Sequence, residues 1–455
     1  MGDVAKTVMW FRRDLRLCDN PALLDAVAAG RDGVVPLFVL DDQLFDKSGT
    51  PRQAYLGASL TALAEDIGGL HVVHGKASEE VLRVARAIGA DTVHIAADFT
   101  PYGSRRDRDV EDALAEHDIT LVRTGSYYAV APGRIRKGDD TPYRVYTPYF
   151  KVWLDHGWRP PADRVDDAAW IFPEGRTHKI PDTAAPRGMR VPAAGEKAAR
   201  RRWADYIDAD LADYDEVRDL PDVDRTSRMS VHLKWGEIHP RTMLADLAKH
   251  RGTGADAYRR EIAFREFYAD VLFHRPDTVN GYYNTSFEAM RYDEPGDDFE
   301  AWKRGETGYP IVDAGMRQLL AEGWMHNRVR MIVASFLVKD LHLEWQHGAQ
   351  HFLDHLIDAD LASNQHGWQW VAGCGTDASP YFRIFNPTTQ GKKFDKAGDY
   401  IRRYVPELAG LDARHIHKPW LLDDPPEGYP PPLVDHAQER LESLARYDEI
   451  RTGIR

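Results

Sequence analysis

Short apolar runs alternate with stretches of helical periodicity over the first 125 residues of the chain. Runs rich in valine, isoleucine and leucine are typical of buried strands. Asn20-Pro21 is typical of a helix start, whereas Gly30 and Gly68-Gly69 are typical of helix ends. The pattern predicts five strands, at Val8 to Phe11, Val34 to Leu40, Leu70 to Val73, Thr92 to Ala96 and Ile119 to Val122. We therefore expect an α/β domain with a Rossmann-like, doubly wound parallel five-stranded sheet, whose ligands lie beyond the carboxyl ends of the strands.

The pattern changes twice further along the chain. Residues 131–196 are rich in proline, glycine and charged side chains and show weak periodicity, which indicates a connection between domains. From Lys197 onward, helical periodicity dominates. The sequence thus predicts an α/β domain at residues 1–130, an inter-domain linker at 131–196 and an all-α domain at 197–455.

Composition narrows the class of protein. No run of about 18 apolar residues is present, so we expect no membrane span. The first residues lack the organisation of a secretory signal, which favours a cytoplasmic location. Cys18 and Cys374 are the only cysteines, too few for a disulfide framework or a four-cysteine metal site. Any redox chemistry must therefore come from an organic cofactor.

Charge and motif position exclude two further classes. The formal net charge of -13 argues against a protein that coats nucleic acid by charge alone. A local basic run nevertheless extends from Tyr381 to Tyr404, and it is either a solvated face or a contact for phosphates. The first strand leads into Arg12-Arg13-Asp14 rather than into the glycine-rich motif of a dinucleotide-binding fold, which argues against NAD.

Four polar clusters in the second half of the chain stand out because they are interleaved with aromatic residues; they are residues 226–230, 261–265, 324–331 and 358–370. Helical spacing places Glu261, Phe264 and Arg265 on one face, and Asn327, Arg330 and Met331 on another. Charges on a partly apolar face must be paired or bind a ligand. A structural ion pair, for example Arg330 with Asp358, is the simpler interpretation of any single cluster, whereas four clusters in one domain favour a binding site.

Two tryptophans and a hydroxyl-rich segment allow similar alternatives. Trp368 and Trp370 lie two residues apart, so on a helix they point to nearly opposite sides. One of them can then face a buried chromophore relay while the other lines an open cavity where a base could stack. Alone, such tryptophans more often belong to a core. The segment from Thr226 to Ser230 is either a helix cap or a pyrophosphate site.

Longer motifs carry a family resemblance. The segments GYPIVDAGMRQL, GWMHNRVRMIVASFLVKDL, IDADLASNQHGWQWVAG and GTDASPYFRIFNPTTQGKKFD resemble the FAD-binding region of the photolyase/cryptochrome family, and WFRRDLRLCDNPAL resembles its first strand. Within the family the chain is most similar to class I CPD photolyases. The resemblance implies light-dependent repair of cyclobutane pyrimidine dimers in DNA by electron transfer from photoexcited, fully reduced FAD, in a monomer whose second, all-α domain binds FAD and DNA.

The resemblance also implies the residues of the site. Residues around FAD would be Tyr214, Thr226, Ser227, Arg228, Met229, Ser230, Tyr258, Glu261, Arg265, Asn327, Arg330, Asp358, Asp360 and Asn364. Catalysis would depend on Glu261, Asn327, Met331 and Asn364, with Asn364 near flavin N5 and Glu261 in need of a raised pKa. The lesion and its DNA would contact Arg218, Phe264, Asn327, Arg328, Met331 and Trp370.

Two departures from the family pattern affect these expectations. Phe264 stands where members usually have tryptophan, so we expect weaker lesion binding with repair retained. Trp368 and Trp345 match the first two residues of the family's photoreduction relay, but the third, surface position holds Tyr292, so that either this tyrosine or another aromatic residue is the terminal donor.

An antenna pigment is a further expectation. Arg13, Phe38, Asp41, Arg52, Asp98 and Lys234 resemble the pattern of members that bind an 8-hydroxy-5-deazaflavin, although Thr100 replaces a usual acid. Methenyltetrahydrofolate or an empty antenna site are the alternatives.

Competing functions share parts of this pattern. A cryptochrome, with the same fold and FAD but no repair, is the main alternative, and an electron-transfer flavoprotein without a DNA partner is the second. A (6-4) photolyase is disfavoured because Asn327 replaces a second histidine that is typical of that group. His347, His351 and His355 share a helix face, which we interpret as solvated rather than metal-binding. His326 is interpreted as a structural hydrogen-bonding group.

Overall fold

The computed structural model describes residues 5–377 and 382–452, so Tyr381, where the basic run begins, lies outside the described residues. These residues divide into two compact units. The described part of the first unit comprises residues 5–186, 191–212 and 227–276, and that of the second comprises 187–190, 213–226 and the remainder from 277 onward. The domain boundaries expected at residues 130 and 196 stay a prediction.

One sheet of five parallel strands organises the first unit. The strands are β1 (Lys6–Phe11), β2 (Gly33–Leu40), β3 (His71–His74), β4 (Thr92–Ala97) and β5 (Thr120–Ser126), in the order β3-β2-β1-β4-β5. Every residue of β2 is buried, as expected for a parallel strand covered on both faces. The predicted doubly wound sheet is therefore confirmed, with strand ends that differ from the predicted ones by at most four residues.

The sequence signals at the helix ends are also observed. The side chain of Asn20 accepts a hydrogen bond from the Leu23 amide at 3.3 Å and caps the helix Pro21–Ala29. Gly68, with φ of 87°, ends the helix Thr50–Ile67 in the left-handed conformation that favours glycine. Helices of the first unit are Pro21–Ala29, Asp42–Phe45, Thr50–Ile67, Ala77–Ile88, Pro101–Ala115, Tyr146–His156, Glu196–Ala209, Ser230–Trp235, Pro240–Leu247 and Thr253–His274.

The segment interpreted as a linker is more structured than its composition suggests. It contains the helix Tyr146–His156. It also pairs with β2, because the amide of Val34 donates to the carbonyl of Ala169 at 2.8 Å and the amide of Ile171 donates to the carbonyl of Val34 at 3.0 Å. Residues 168–171 therefore extend the sheet locally.

The second unit is helical around an aromatic core. Trp302, Trp345 and Phe336 are almost fully buried. Lys339 is buried too, and its ammonium group donates to the carbonyl of Ala372 at 2.6 Å while burial lowers the pKa of this lysine well below its usual value. Helices of this unit are Tyr214–Val217, Asp297–Arg304, Pro310–Glu322, Asn327–Lys339, Trp345–His355, Leu361–Ala372, Pro387–Phe394, Asp399–Tyr404 and His436–Thr452.

The helix His436–Thr452 holds the segment that contains Tyr292. Arg291 makes ion pairs with Glu442 at 3.1 Å and with Glu449 at 3.0 Å. On the other side of Tyr292, Asp293 is paired with Arg446 at 3.0 Å. Both neighbours of Tyr292 in the chain are thus fixed to one helix.

No helix among the described residues combines the length and the apolar character that a membrane crossing needs.

Candidate functional site

In the first unit, the polar face of the helix Thr253–His274 carries Tyr258, Glu261 and Arg265. The hydroxyl of Tyr258 is 2.7 Å from that of Ser227, and burial raises the pKa of the tyrosine. Arg265 donates to the carbonyls of Tyr127 at 3.2 Å and Leu233 at 3.4 Å. Glu261 is partly buried. The predicted helical face therefore exists, with Arg265 tied to the backbone of neighbouring segments.

Phe264, on the same helix, has an aromatic partner that sequence reasoning missed. Its ring is stacked on Tyr146, with centroids 3.6 Å apart and planes inclined by 16°. Tyr146 belongs to the helix in the expected linker, and its hydroxyl donates to the carbonyl of Arg260 at 2.7 Å. One face of Phe264 is therefore covered, and only the rest of this partly exposed ring is open to a ligand.

The segment Ser227 to Ser230 enters a short helix without a side-chain cap. The amide of Met229 donates to the Ser227 hydroxyl at 3.3 Å, and the carbonyl of Ser227 accepts from Arg202. Arg228 has φ of 54°, a left-handed conformation that is uncommon for a residue with a side chain. Met229 is buried and Ser230 is exposed, so their side chains have different environments.

In the second unit, the helix Asn327–Lys339 begins with a histidine cap. His326 accepts a hydrogen bond from the Arg328 amide at 3.2 Å, which confirms its structural hydrogen-bonding role. Burial lowers its pKa to about 4. Asn327 is exposed, and Met331 is partly buried.

Two arginines of this helix are paired with acids. Arg330 contacts Asp358 at 2.8 Å, as the simpler interpretation of the sequence expected. Arg328 contacts Asp219 at 2.8 Å and lies over the ring of Phe394 at 4.4 Å. A residue expected to meet the DNA backbone is thus engaged within the protein.

Two of the residues expected around FAD, Asp360 and Asn364, lie at the start of the helix Leu361–Ala372. Asp360 caps this helix by accepting from the Ser363 amide at 3.1 Å. The side-chain amide of Asn364 donates to the carbonyl of Ala349 at 3.1 Å and to Gln365 at 2.8 Å. Asn364 is therefore held in one orientation, with its oxygen available as an acceptor.

Trp368 and Trp370 differ in environment, as their spacing predicts. Trp368 is 3% exposed and lies against Phe352, with ring centroids 5.0 Å apart. Trp370 is partly exposed, its indole N–H donates to the carbonyl of Asp377 at 3.1 Å, and it lines a cavity together with Phe382 and Arg383.

Tyr292 is partly buried rather than at the surface. Its ring stacks on Tyr282 with centroids 6.4 Å apart, and Tyr282 in turn meets Trp345 at 6.2 Å. Sequence reasoning did not identify Tyr282. The pair Tyr282-Tyr283 and the acid Glu344 directly before Trp345 were the only signals for it.

In the first unit, three of the expected antenna residues follow the carboxyl ends of strands: Arg13 after β1, Asp41 after β2 and Asp98 after β4. The guanidinium of Arg13 donates to the carbonyl of Lys234 at 3.2 Å. Although burial raises the pKa of Asp98, the charges of Arg106 and Arg13 keep it below its usual value. Phe38 is buried and Arg52 is partly buried.

Thr100 replaces an acid of the expected antenna pattern, and Asp41 has a partner of its own. The Thr100 hydroxyl donates to Asp98 at 2.8 Å. Asp41 accepts from Tyr102. These acids are therefore partly engaged by the protein itself.

The described part of the basic run is mixed in character. Lys392, Lys393 and Lys396 are exposed. Arg402 pairs with Asp399 at 2.7 Å, and Arg403 donates to the carbonyl of Asp222 at 2.9 Å. Among these, the lysines are the side chains best placed to meet phosphates. No cluster of potential metal ligands, including the three-histidine face, is found within the described residues.

Two family models match the chain. Residues 7–166 match the model of DNA photolyase, and residues 258–449 match the FAD binding domain of DNA photolyase. The second match makes this part of the chain an FAD-binding domain.

Similar proteins extend over the full length. A deoxyribodipyrimidine photo-lyase from Streptomyces griseus is 42% identical, and the alignment covers 98% of each chain. A class III photolyase from Agrobacterium tumefaciens has a similar structure, with a TM-score of 0.94, 37% identity and 99% of each chain covered. A cryptochrome from Synechocystis gives a TM-score of 0.91 at 27% identity, with 98% of this chain and 100% of that chain covered. The chain therefore belongs to the DNA photolyase family.

Proposed function

We propose that this protein is a deoxyribodipyrimidine photo-lyase, which splits cyclobutane pyrimidine dimers in DNA by using light and reduced FAD. The observation that carries the proposal is the full-length identity of 42% to a protein of that name, compared with 27% to the cryptochrome. Assignment to class I stays a prediction, because a class III photolyase is among the similar structures.

The polar groups of the second unit fit a nucleotide cofactor. The hydroxyl of Thr226 is shielded from solvent and has no hydrogen-bond partner among the described residues. A buried hydroxyl is stabilised by a partner, and a phosphate or ribose oxygen would supply one. Asp360 and the oriented amide of Asn364 would hold the ring system of FAD. Tyr214 would lie near the phosphates; the guanidinium of Arg218 lies 5.6 Å from the centroid of its ring.

The remaining roles follow from the chemistry of each side chain. Bound reduced FAD supplies, on absorbing light, the electron that splits the cyclobutane ring and receives it back afterwards. Glu261, in its protonated form, would donate a hydrogen bond to the extruded dimer and so stabilise its transient negative charge. Asn327 would donate to a base edge, and Met331 and Trp370 would pack against the bases. Each of these groups is at least partly accessible.

A repair assay tests this proposal. Reduced, FAD-loaded protein is illuminated with blue light in the presence of an oligonucleotide that carries one thymine cyclobutane dimer, and the return of thymine absorbance is followed. We expect repair in wild type and in the surface control Glu116→Ala, and a loss of about ten-fold or more in Glu261→Ala, because a hydrogen bond to a charged group is removed. Absence of repair in wild type would favour a cryptochrome-like role.

An 8-hydroxy-5-deazaflavin antenna is part of the proposal. Support comes from charged residues that follow the carboxyl ends of β1, β2 and β4, where ligands of doubly wound sheets bind. Protein purified from its native host should show a second absorption band that is lost in Asp98→Ala and retained in Asp112→Ala, an exposed control. A folate band, or none, would replace this part of the proposal by one of its alternatives.

We further propose that the protein acts as a monomer in the cytoplasm. Light scattering coupled to size exclusion tests the first statement, and a mass close to 51.7 kDa is expected.

A further inference from the structure

A row of oxidisable rings crosses the core of the second unit. Trp345 is fully buried, and the ring of Tyr282 meets it edge-on, with centroids 6.2 Å apart and planes at 86°. Tyr292 stacks on the other side of Tyr282, with centroids 6.4 Å apart. Neighbouring rings at such separations exchange electrons without a further carrier.

Trp368 adds a ring next to this row. It packs directly on the backbone at Gly348, where an added methyl group would lie 2.1 Å from the indole, and Gly348 is one turn from Trp345 on the same helix. The indole nitrogens of Trp368 and Trp345 are both shielded from solvent and have no hydrogen-bond partner within the described residues. An oxidised indole here has no acceptor for its proton, so it remains a cation that readily takes an electron from a neighbour.

Tyr282 differs from these tryptophans because it has a proton acceptor. Its hydroxyl donates to Glu344 Oε1 at 2.8 Å. Burial raises the pKa of Tyr282, so the phenol keeps its proton until an electron is removed. Glu344 is partly exposed and directly precedes the helix Trp345–His355. A proton that reaches this carboxylate has a short path to water.

We propose that Tyr282 is a redox-active residue, which gives an electron to oxidised Trp345 and its phenolic proton to Glu344. One electron and one proton leave Tyr282, the indole cation becomes neutral, and the products are a neutral tyrosyl radical and a protonated Glu344. The oxidant that starts the sequence is photoexcited FAD, so the inference rests on the proposed light-driven function, and an external thiol returns the tyrosyl radical to tyrosine.

Trp302, which also neighbours Trp368, does not offer a second route for electron transfer to a tyrosine. Trp302 lies 6.3 Å from Trp368, but its indole N–H donates to the carbonyl of Val333 at 3.1 Å, and a carbonyl does not keep a proton. The next ring stacked on Trp302, at 5.8 Å, is Phe299, which is far harder to oxidise than tyrosine. Trp302→Phe therefore serves as a control for general disturbance of the aromatic core.

Electron paramagnetic resonance of FAD-loaded protein, illuminated in its oxidised form and then frozen, tests the proposal. Ring-deuterated tyrosine identifies a tyrosyl signal. We expect Tyr282→Phe to reduce this signal by about ten-fold or more, and Tyr292→Phe and Trp302→Phe to retain it. Glu344→Gln keeps a hydrogen-bond acceptor but cannot hold the proton, so we expect a similar loss there.

Contrary outcomes are well defined. A full signal in Tyr282→Phe, its loss in Tyr292→Phe, or an unchanged signal in Glu344→Gln would each overturn the proposal. Repair by chemically reduced protein separates this inference from the proposed function. Tyr282→Phe should then repair at the wild-type rate, whereas a reduced wild type that does not repair would refute the function and leave the radical experiment valid.

Discussion

Phe264 is the residue at which this chain departs from its family in the expected lesion pocket. One face of its ring is covered by the buried ring of Tyr146, so a base can stack only on the remaining, partly exposed part of Phe264. Stacking on a base contributes about 1–3 kcal/mol, and we expect Phe264→Ala to weaken binding of a dimer-containing oligonucleotide at least about five-fold. Fluorescence anisotropy measures this binding.

Phe150→Ala is the matched control, because Phe150 also stacks on Tyr146, at 5.7 Å, and has no proposed ligand. If both variants lose affinity equally, Phe264 acts only through the packing of Tyr146.

His326 makes the stability of the second unit depend on pH. Burial lowers its pKa to about 4, below its value in the unfolded chain. The neutral cap therefore contributes fully above about pH 6.5, and stability is lost as the pH falls towards 4. We expect His326→Asn, which keeps a capping side chain, to gain about 2 kcal/mol relative to wild type between pH 7.5 and pH 5. Urea unfolding at both pH values checks this, and a constant difference would contradict it.

Some contacts between single residues are predictable from the sequence, and others are not. The Arg330–Asp358 pair follows from the need to neutralise a charge on a partly apolar helix face, and it is the example of an ion pair that the sequence suggested. The bond of Arg328 to Asp219 and that of Tyr282 to Glu344 do not, because they join segments separated by 109 and 62 residues whose approach depends on the whole fold. Roles assigned to individual site residues by resemblance stay predictions.

Two glycines within helices have opposite environments. A methyl group at Gly348 would lie 2.1 Å from the Trp368 ring, whereas nothing lies within 4 Å of one at Gly367. We expect Gly348→Ala to destabilise the protein by about 1–3 kcal/mol through overpacking, and Gly367→Ala to be neutral or to stabilise by up to about 1 kcal/mol. Chemical denaturation measures both changes.

Gly348→Ala should also slow photoreduction, since Trp368 must move. Equal stability of the two variants would show that the helices Trp345–His355 and Leu361–Ala372 adjust without cost.

At the level of elements, the α/β sheet was predictable and parts of the linker were not. Parallel strands that are buried on both faces have continuous apolar sequences, and all five strands were identified from this pattern. The helix Tyr146–His156 was missed because its flanks are rich in proline, glycine and charged residues. Its stability comes from tertiary contacts, for example the hydrogen bond that the Trp153 indole donates to Glu266 at 2.7 Å.

For the molecule as a whole, the net charge of -13 opposes binding to DNA, so any affinity must come from local patches. Lys392 and Lys393 are exposed. If both meet phosphates, replacing them with glutamine should reduce the slope of log affinity against log salt by about 2. The control Lys47→Gln/Lys151→Gln changes the net charge equally at exposed positions elsewhere.

An unchanged slope in Lys392→Gln/Lys393→Gln would mean that the basic run is only a solvated face. A similar reduction in both double variants would mean that total charge, rather than position, sets the salt dependence.

The ion pairs from Arg291 and Asp293 to the helix His436–Thr452 bear on how truncated or tagged versions of this protein should be judged. Deleting that helix would free the backbone on both sides of Tyr292, whose ring stacks on the proposed donor Tyr282, while removing none of the residues proposed to bind FAD or DNA. A shortened chain that fails an assay started from oxidised protein would look inactive, although its repair chemistry had survived. Supplying the reductant chemically would tell a broken supply of electrons from a broken catalyst.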